Sequence, residues 1–519
     1  MEEPNGTVIP IRVSDKALAH LSTGIYRSPG SALRELVSNA FDADATQISI
    51  STGYPLFYQV RIVDDGVGMT RDAFRRHMSG DIGNSHKREQ GQGRKTNRPI
   101  LGRLGIGLLA VAQLCHSFRI LSRTEDGQEF EAIVTLEDRV RSRLDANDPS
   151  LVASSNSSNK KNEPPVQVGS FVFVEPQSKH IDGTGTAIII DNLHPSFVLS
   201  FKNSLNNEKF EPPSLDWSAC VKKMQSVSTV NELGEYWRLL FELAASSPIP
   251  YISASSIPQD LVADEQELLE SWNFEVVVDS ISLRKPVVLV GNKHGYTARS
   301  IDKEIVVYGN LLKTSGYIVA QEGLQLKPGE IRGILIRIKG VGIGYYDAGF
   351  LSLPDNPGPR SRWITGEVNA LAGLEDALNI DRESFNQFHP EFRALQEYVH
   401  DELKLMFTDM YREITKRSKS SALERQKTRN QRLRTVIASA LSDRVSMTVN
   451  TDAPLAKVTY HESGAQVSIA DPDSLPIKRS GREVAATVLT LYDVASEEAD
   501  DLEQHRARFF ELLMEYFGH

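Results

Sequence analysis

Three residues of one short stretch have types and a spacing that suit chemistry. In Leu33-Arg34-Glu35-Leu36-Val37-Ser38-Asn39-Ala40-Phe41-Asp42-Ala43, the offsets from Glu35 to Asn39 and Asp42 are four and seven. At about 100° per residue these side chains fall within one narrow arc of a helix, with Leu33, Leu36, Val37 and Ala40 on the opposite side. A carboxylate–amide–carboxylate row with no neighbouring lysine suits a hydrated Mg²⁺, which takes one or two protein oxygens together with phosphate. An ordinary amphipathic helix has the same outline, so the row needs support from the rest of the chain.

Three further segments supply it. Asp64-Asp65-Gly66-Val67-Gly68-Met69 follows the strand-like Phe57 to Val63. Glycines at this spacing let the backbone turn sharply and approach a flat ligand, and an acid at a strand end can accept from an exocyclic amine. Alone, such a segment is more often a turn. Leu101-Gly102-Arg103-Leu104-Gly105-Ile106-Gly107 runs into the apolar Leu108 to Leu114, an arrangement whose backbone N–H groups hold phosphate. Its Gly-x-x-Gly-x-Gly spacing is not the dinucleotide fingerprint, and Lys95-Thr96 lacks the preceding glycine of a Walker loop. Gly185-Thr186 places a hydroxyl at the entrance of the apolar strand Ala187 to Ile190. Between the second and third segments, residues 70–101 hold a short helix, Gly83-Asn84-Ser85-His86-Lys87 and a polar, glycine-rich run without apolar anchors. That composition reads as a lid or as a solvated loop.

In this order the four blocks resemble the GHKL ATPases, which share the Bergerat ATP-binding fold: gyrase B, the ninety-kilodalton heat-shock chaperones, histidine kinases and MutL, with the microrchidia ATPases related. The resemblance covers about the first 195 residues. It implies ATP and Mg²⁺ as ligands. Glu35 then matches the general base that activates water, Asn39 the Mg²⁺ ligand and Asp42 a further polar contact near the nucleotide. Asp64, the first acid of its box, matches the adenine-binding carboxylate, with Gly66, Gly68 and Met69 completing the box and Asp65 variable. Gly102, Gly105 and Gly107 match the phosphate-side glycines, Thr186 the adenine-pocket hydroxyl, and Ser85 and Lys87 the lid of microrchidia-type members. Asp44 to Ile50 and Gly185 to Leu193 are similar to the corresponding stretches of MutL. Leu378-Asn379-Ile380-Asp381-Arg382-Glu383 resembles a segment of the heat-shock chaperone's middle domain, which makes Arg382 a candidate trans-domain phosphate sensor; a helix-capping arginine is the alternative. No pattern singles out an active-site lysine in the second half, where Lys339 is a guess, and Gly340 to Gly344 reads as a hairpin turn.

The elements that must position these residues are α/β in text. The expectation is a GHKL sandwich over 1–195 with a lid at 70–101 and a disordered, Ser/Asn/Pro-rich insertion at 145–165. A connection over 196–230, a transducer-like α/β domain over 231–410 and a basic helix with a small mixed region over 411–519 complete it. The chain has 519 residues, a formal charge of −10 and two cysteines, which excludes a disulfide framework or a zinc cluster. With no secretory signal and no membrane-length apolar run, a cytoplasmic setting is expected. Between Arg412 and Arg434 nine basic residues stand against two glutamates; a solvated helix face is the simpler reading, a contact for nucleic acid the other. The expected activity is a Mg²⁺-dependent ATPase, an ATP-gated clamp or chaperone-like remodeller with a protein client or partner and an ATP-dependent homodimer. The alternative is an ATP-binding sensor with little turnover.

Overall fold

Period-two apolar patterning builds the first sheet: in Gln47–Ser51, Ile48 and Ile50 are buried while the residues between them are exposed. The computed structural model describes residues 5–13, 29–81, 98–100, 107–137, 166–177, 181–203, 216–252, 257, 259–289, 296–321, 323–354, 358–379, 383–440, 445–450, 456–461, 464–470, 481–497 and 499–517. They form two units, Met1–Met406 and Phe407–His519.

In chain order the first unit opens with β1 (Val8–Val13), α1 (Pro29–Asp42), β2 (Gln47–Ser51), β3 (Val60–Asp64) and α2 (Arg71–Arg76). A 3-10 turn at Gly107–Gln113 leads to β4 (Ser117–Arg123), β5 (Glu129–Leu136), β6 (Val166–Val174) and β7 (Gly185–Ile190). Helices α3 (Pro195–Asn203), α4 (Trp217–Ser226), α5 (Glu235–Ser246) and α6 (Gln259–Ser271) precede β8 (Glu275–Val278) and β9 (Ile281–Ser282). The sheet runs β1-β6-β5-β4-β7-β3-β2-β8-β9, with β8 parallel to β2 and the other pairs antiparallel. Helix α1 lies in its core. Proline is well placed at its start, and Ala32, Leu33, Leu36, Val37, Ala40 and Phe41 are all at most 4% exposed. Burial of each larger side chain contributes about 1.5–3 kcal/mol, so packing rather than propensity holds this helix.

The second sheet comprises β10 (Tyr296–Ser300), β11 (Lys303–Val307), β12 (Asn310–Gln321), β13 (Gly333–Ile338), β14 (Val341–Gly342) and β15 (Ile364–Ala372), ordered β10-β12-β15-β13-β14 with β11 also on β12. Helix α7 (Pro390–Ala440) runs from the first unit into the second. The second unit holds β16 (Val445–Asn450), β17 (Ala456–His461) and β18 (Gly464–Ala470) in a small sheet, followed by α8 (Gly481–Glu497) and α9 (Leu502–Phe517).

The described residues add three observations beside the expected boundaries. Residues 196–230 are more than a connection, because Trp217, Cys220, Val221 and Met224 of α4 are buried in the main core. The text after 231 does not belong wholly to a second domain, because β8 and β9 extend the first sheet. Both ends of the expected lid are anchored: Phe74 packs among Phe130, Phe171 and Phe173. Arg98, only 2% exposed, donates to the carbonyls of Ala45, Trp272 and Asn273 and lies over the Phe41 ring. The stretch between them, 82–97, and the insertion at 145–165 lie outside the described residues.

Candidate active site

The C-terminal end of α1 and the end of β3 meet first. Val67 donates its N–H to the Ala43 carbonyl (2.9 Å), and a Cβ on Gly66 would stand 2.7 Å from that same oxygen. Gly68 has φ +67°, and a Cβ there would come within 2.1 Å of the Arg123 carbonyl. No larger residue fits either position without moving backbone.

Strand register then lines up three polar side chains. Asp64 on β3 pairs with Thr186 on β7, and Thr186 pairs with Ser122 on β4; residues directly opposite point to the same face. Ser122 Oγ lies 3.0 Å from Thr186 Oγ1, donates to the Gly185 carbonyl (3.0 Å) and accepts the Met69 N–H (2.9 Å). One hydroxyl thus ties together two of the blocks singled out in the sequence.

The two adjacent acids do different work. Asp65 accepts from the backbone N–H groups of Thr46 (2.7 Å) and Gln47 (2.8 Å) and from the Thr46 hydroxyl, fixing the start of β2. Asp64 accepts the Gly66 N–H at 3.0 Å and is half-buried. Burial pushes that carboxyl up to about 7; the N–H groups of Gly66 and Thr186 oppose the rise, and the charge of Asp65 adds to it. A poorly hydrated carboxyl that is still reachable is the natural partner for an N–H donor from a ligand.

The other end of α1 borders a cleft. Arg34, Glu35 and Ser38 line it from the helix; Ile338, Lys339, Val341 and Ile343 line it from the β13–β14 hairpin, with Glu375 and Leu378 beyond. Glu35 is 5% exposed. Lys339 Nζ lies 2.8 Å from Glu375 Oε1. Arg34 pairs with Glu383 (3.0 Å), whose carboxylate also accepts the Ser31 hydroxyl (2.7 Å). Asn39 and Asp42, between the two clusters on α1, are half-buried.

The structure therefore brings Asp64, Gly66, Gly68, Met69 and Thr186 together, and carries Glu35, Asn39 and Asp42 on one helix beside them. Gly107 begins the 3-10 turn. Ser85, Lys87, Gly102, Gly105 and Arg382 lie outside the described residues. Two residues gain significance only in three dimensions. Ser122 looks like the last residue of an ordinary strand until β7 aligns it with Thr186. Lys339 sits in a hairpin turn, and only the fold sets that turn against Glu35.

Comparison with known proteins decides the class. Residues 26–158 match the family described as histidine kinase-, DNA gyrase B-, and HSP90-like ATPase. The chain carries a GHKL-type ATPase domain. A putative type II restriction enzyme, HgiDII of Herpetosiphon aurantiacus, is 36% identical to it over 106 residues, covering 20% of this chain and 16% of that protein. The DNA mismatch repair protein MutL of Acidobacterium capsulatum is 37% identical over 81 residues, 14% of this chain and 12% of that protein. MutL of Geobacillus kaustophilus is 37% identical over 82 residues, 15% and 13% of the two chains. The chain thus spans less than one fifth of the length of each of these relatives. The donor set of the GHKL domain fits the family's ligands: a reachable carboxyl for an amine, and an amide and carboxylates for a hard cation. Among the described residues no helix is long and apolar enough to cross a membrane.

Proposed function

We propose that this chain is a Mg²⁺-dependent ATPase in which ATP binding and hydrolysis drive closure of a transducer-like domain onto a Bergerat sandwich. One juxtaposition supports this above the rest: Glu35 of the GHKL helix and Lys339 of the second sheet's hairpin line the same cleft. Asp64 receives the adenine amine, with Thr186, Ser122, Gly66, Gly68 and Met69 shaping the pocket around it. Glu35 takes the proton of the attacking water. Asn39 offers its amide oxygen to the cation and Asp42 a further polar contact, while Lys339 meets the terminal phosphate. Bound Mg²⁺ supplies neutralisation of the charge on the phosphate oxygens. Gly102, Gly105 and Gly107 supply phosphate-side N–H groups, Ser85 and Lys87 lid contacts, and Arg382 a trans-domain cation; its neighbour Glu383 is bonded to Ser31 and Arg34 at the start of α1.

Dimerisation on ATP binding and a client belong to the same proposal. Two of the relatives are named for DNA mismatch repair and one as a putative type II restriction enzyme, so duplex DNA is the client to test first. Arg412, Lys416, Lys419 and Arg425 of α7, all exposed, are the contact to examine. Equilibrium ATP binding and phosphate release, each with and without Mg²⁺ and DNA, test the reading. ATP binding with Mg²⁺-dependent turnover supports it. Failure to bind ATP at all sinks it, and tight binding without turnover leaves a nucleotide sensor.

A further inference from the structure

Lys339 stands in a conformation that its residue type disfavours. The two-residue loop between β13 and β14 is Lys339-Gly340, with Ile338 paired to Val341 and Arg337 to Gly342. Its φ values are 50° and 82°. Positive φ at both central positions is the demand of a type I′ hairpin, where Asn-Gly is the usual choice. A lysine in the left-handed region costs energy that the surroundings must offset, and such outliers gather where function sets the geometry.

The surroundings are unusual too. Directly behind the turn lie three charged side chains with no exposure at all: Arg337 on β13, Glu367 on β15, and Lys285 just after β9. Glu367 is the hub. It accepts from Arg337 Nε (2.5 Å), from the hydroxyls of Tyr346 (2.5 Å) and Tyr251 (3.0 Å), and has Lys285 Nζ at 3.9 Å. Burial would raise its pKa, but Arg337 and Lys285 together hold it well below the usual carboxylate range. Lys285 in turn is bonded to Glu265 of α6 at 2.8 Å, so the network ties the second sheet to α6 and to the segment that follows β9. It ends at the turn. Arg337 Nη1 approaches the Gly340 carbonyl (3.4 Å), Asn369 Oδ1 accepts the Gly340 N–H (2.9 Å), and the Ala370 carbonyl accepts the Lys339 N–H (3.0 Å).

Stability alone does not call for this arrangement, since apolar side chains of similar volume often replace buried ion networks without loss. What the network adds is a fixed backbone at a single turn. We propose that Arg337, Glu367, Asn369 and Lys285 are positioning residues that hold the left-handed turn and so set Lys339 in the cleft beside Glu35. The inference rests on the ATPase reading above. It goes further in making this buried network, rather than the turn's own sequence, the source of the lysine's placement.

A double-mutant cycle on the full chain tests it, using Asn369→Ala, Lys339→Met and the pair. Thermal melting confirms folding, and Arg337→Lys serves as the second variant if Asn369→Ala fails to fold. Each single variant should raise KM for ATP about tenfold with kcat changed far less. In the Lys339→Met background, Asn369→Ala should then change KM no further. Independent, multiplying effects overturn the proposal, as does a lowered melting temperature with KM unmoved, which would make the network purely structural. A wild type that binds ATP while the cycle is additive fails the positioning claim only. A wild type that does not bind ATP fails the site reading and this inference with it.

Discussion

Asp64 gives the sharpest test of how the site recognises its ligand. Burial holds its carboxyl up at about 7 rather than 3.8. An amine donor binds the ionised form, so the apparent Kd is the intrinsic value divided by the ionised fraction. With a pKa near 7 that fraction is about one in eleven at about pH 6 and about ten in eleven at about pH 8, so affinity should improve about tenfold between them. Adenosine is the probe of choice, because its ring and amine carry the contact without titrating phosphates; calorimetry in buffers of different ionisation enthalpy should also show proton release on binding. Asp64→Asn should flatten the profile and lose affinity chiefly at the alkaline end. The stability linkage has the opposite sign to that of a salt-bridged acid. Below about pH 4 folded and unfolded chains both hold the proton and Asp64 costs nothing; as pH rises the unfolded chain ionises first, and the folded state is penalised by up to about 4 kcal/mol above pH 7. Asp64→Asn should therefore raise Tm most at alkaline pH and least in acid. Affinity that is flat across this range, or that improves in acid, would refute the reasoning: the latter would mean that a neutral carboxyl donating to a ring nitrogen is the bound form.

Three other outcomes follow from single contacts. Lys339→Asn should stabilise the chain by about 0.5–1 kcal/mol by placing a residue suited to the left-handed turn, while weakening ATP binding, read by melting and nucleotide titration. Ser122→Ala should strand the Met69 N–H and weaken adenosine binding, at a cost of about 1–3 kcal/mol seen in denaturant unfolding. Arg98→Met should lower stability by about 3 kcal/mol or more, because it leaves backbone carbonyls of Ala45 and Trp272 without a donor in the core.

What the sequence could disclose depended on how local the determinant was. The α1 pattern was legible because a helix turns spacing directly into a face, and the burial of Leu33, Leu36, Val37 and Ala40 follows that face. The Gly66 and Gly68 positions were legible because a close backbone approach admits one residue type. Ser122 was not, since a serine at a strand end acquires meaning only from the register of β7. The joining of β8 to β2 was hidden for a similar reason: parallel pairing between distant segments leaves no turn to announce it. Ile364–Ala372 follows a stretch broken by proline and glycine, yet it forms β15, flanked by β12 and β13 in the second sheet. Nothing in the local sequence marks Lys285, Arg337 and Glu367 for burial, and only mutual pairing lets them be fully buried. Lys339 combined both difficulties, a turn residue by its neighbours and a cleft residue by the fold.

The central claim is that Glu35 activates water for attack on ATP. Steady-state phosphate release by the wild type and by Glu35→Gln, alongside equilibrium ATP binding by both, tests it most directly. The account predicts that the substitution lowers kcat by about a hundredfold or more while Kd for ATP stays within about threefold, the pattern of a group that acts in the transition state alone. Turnover that survives Glu35→Gln, or that disappears only because ATP no longer binds, would contradict it.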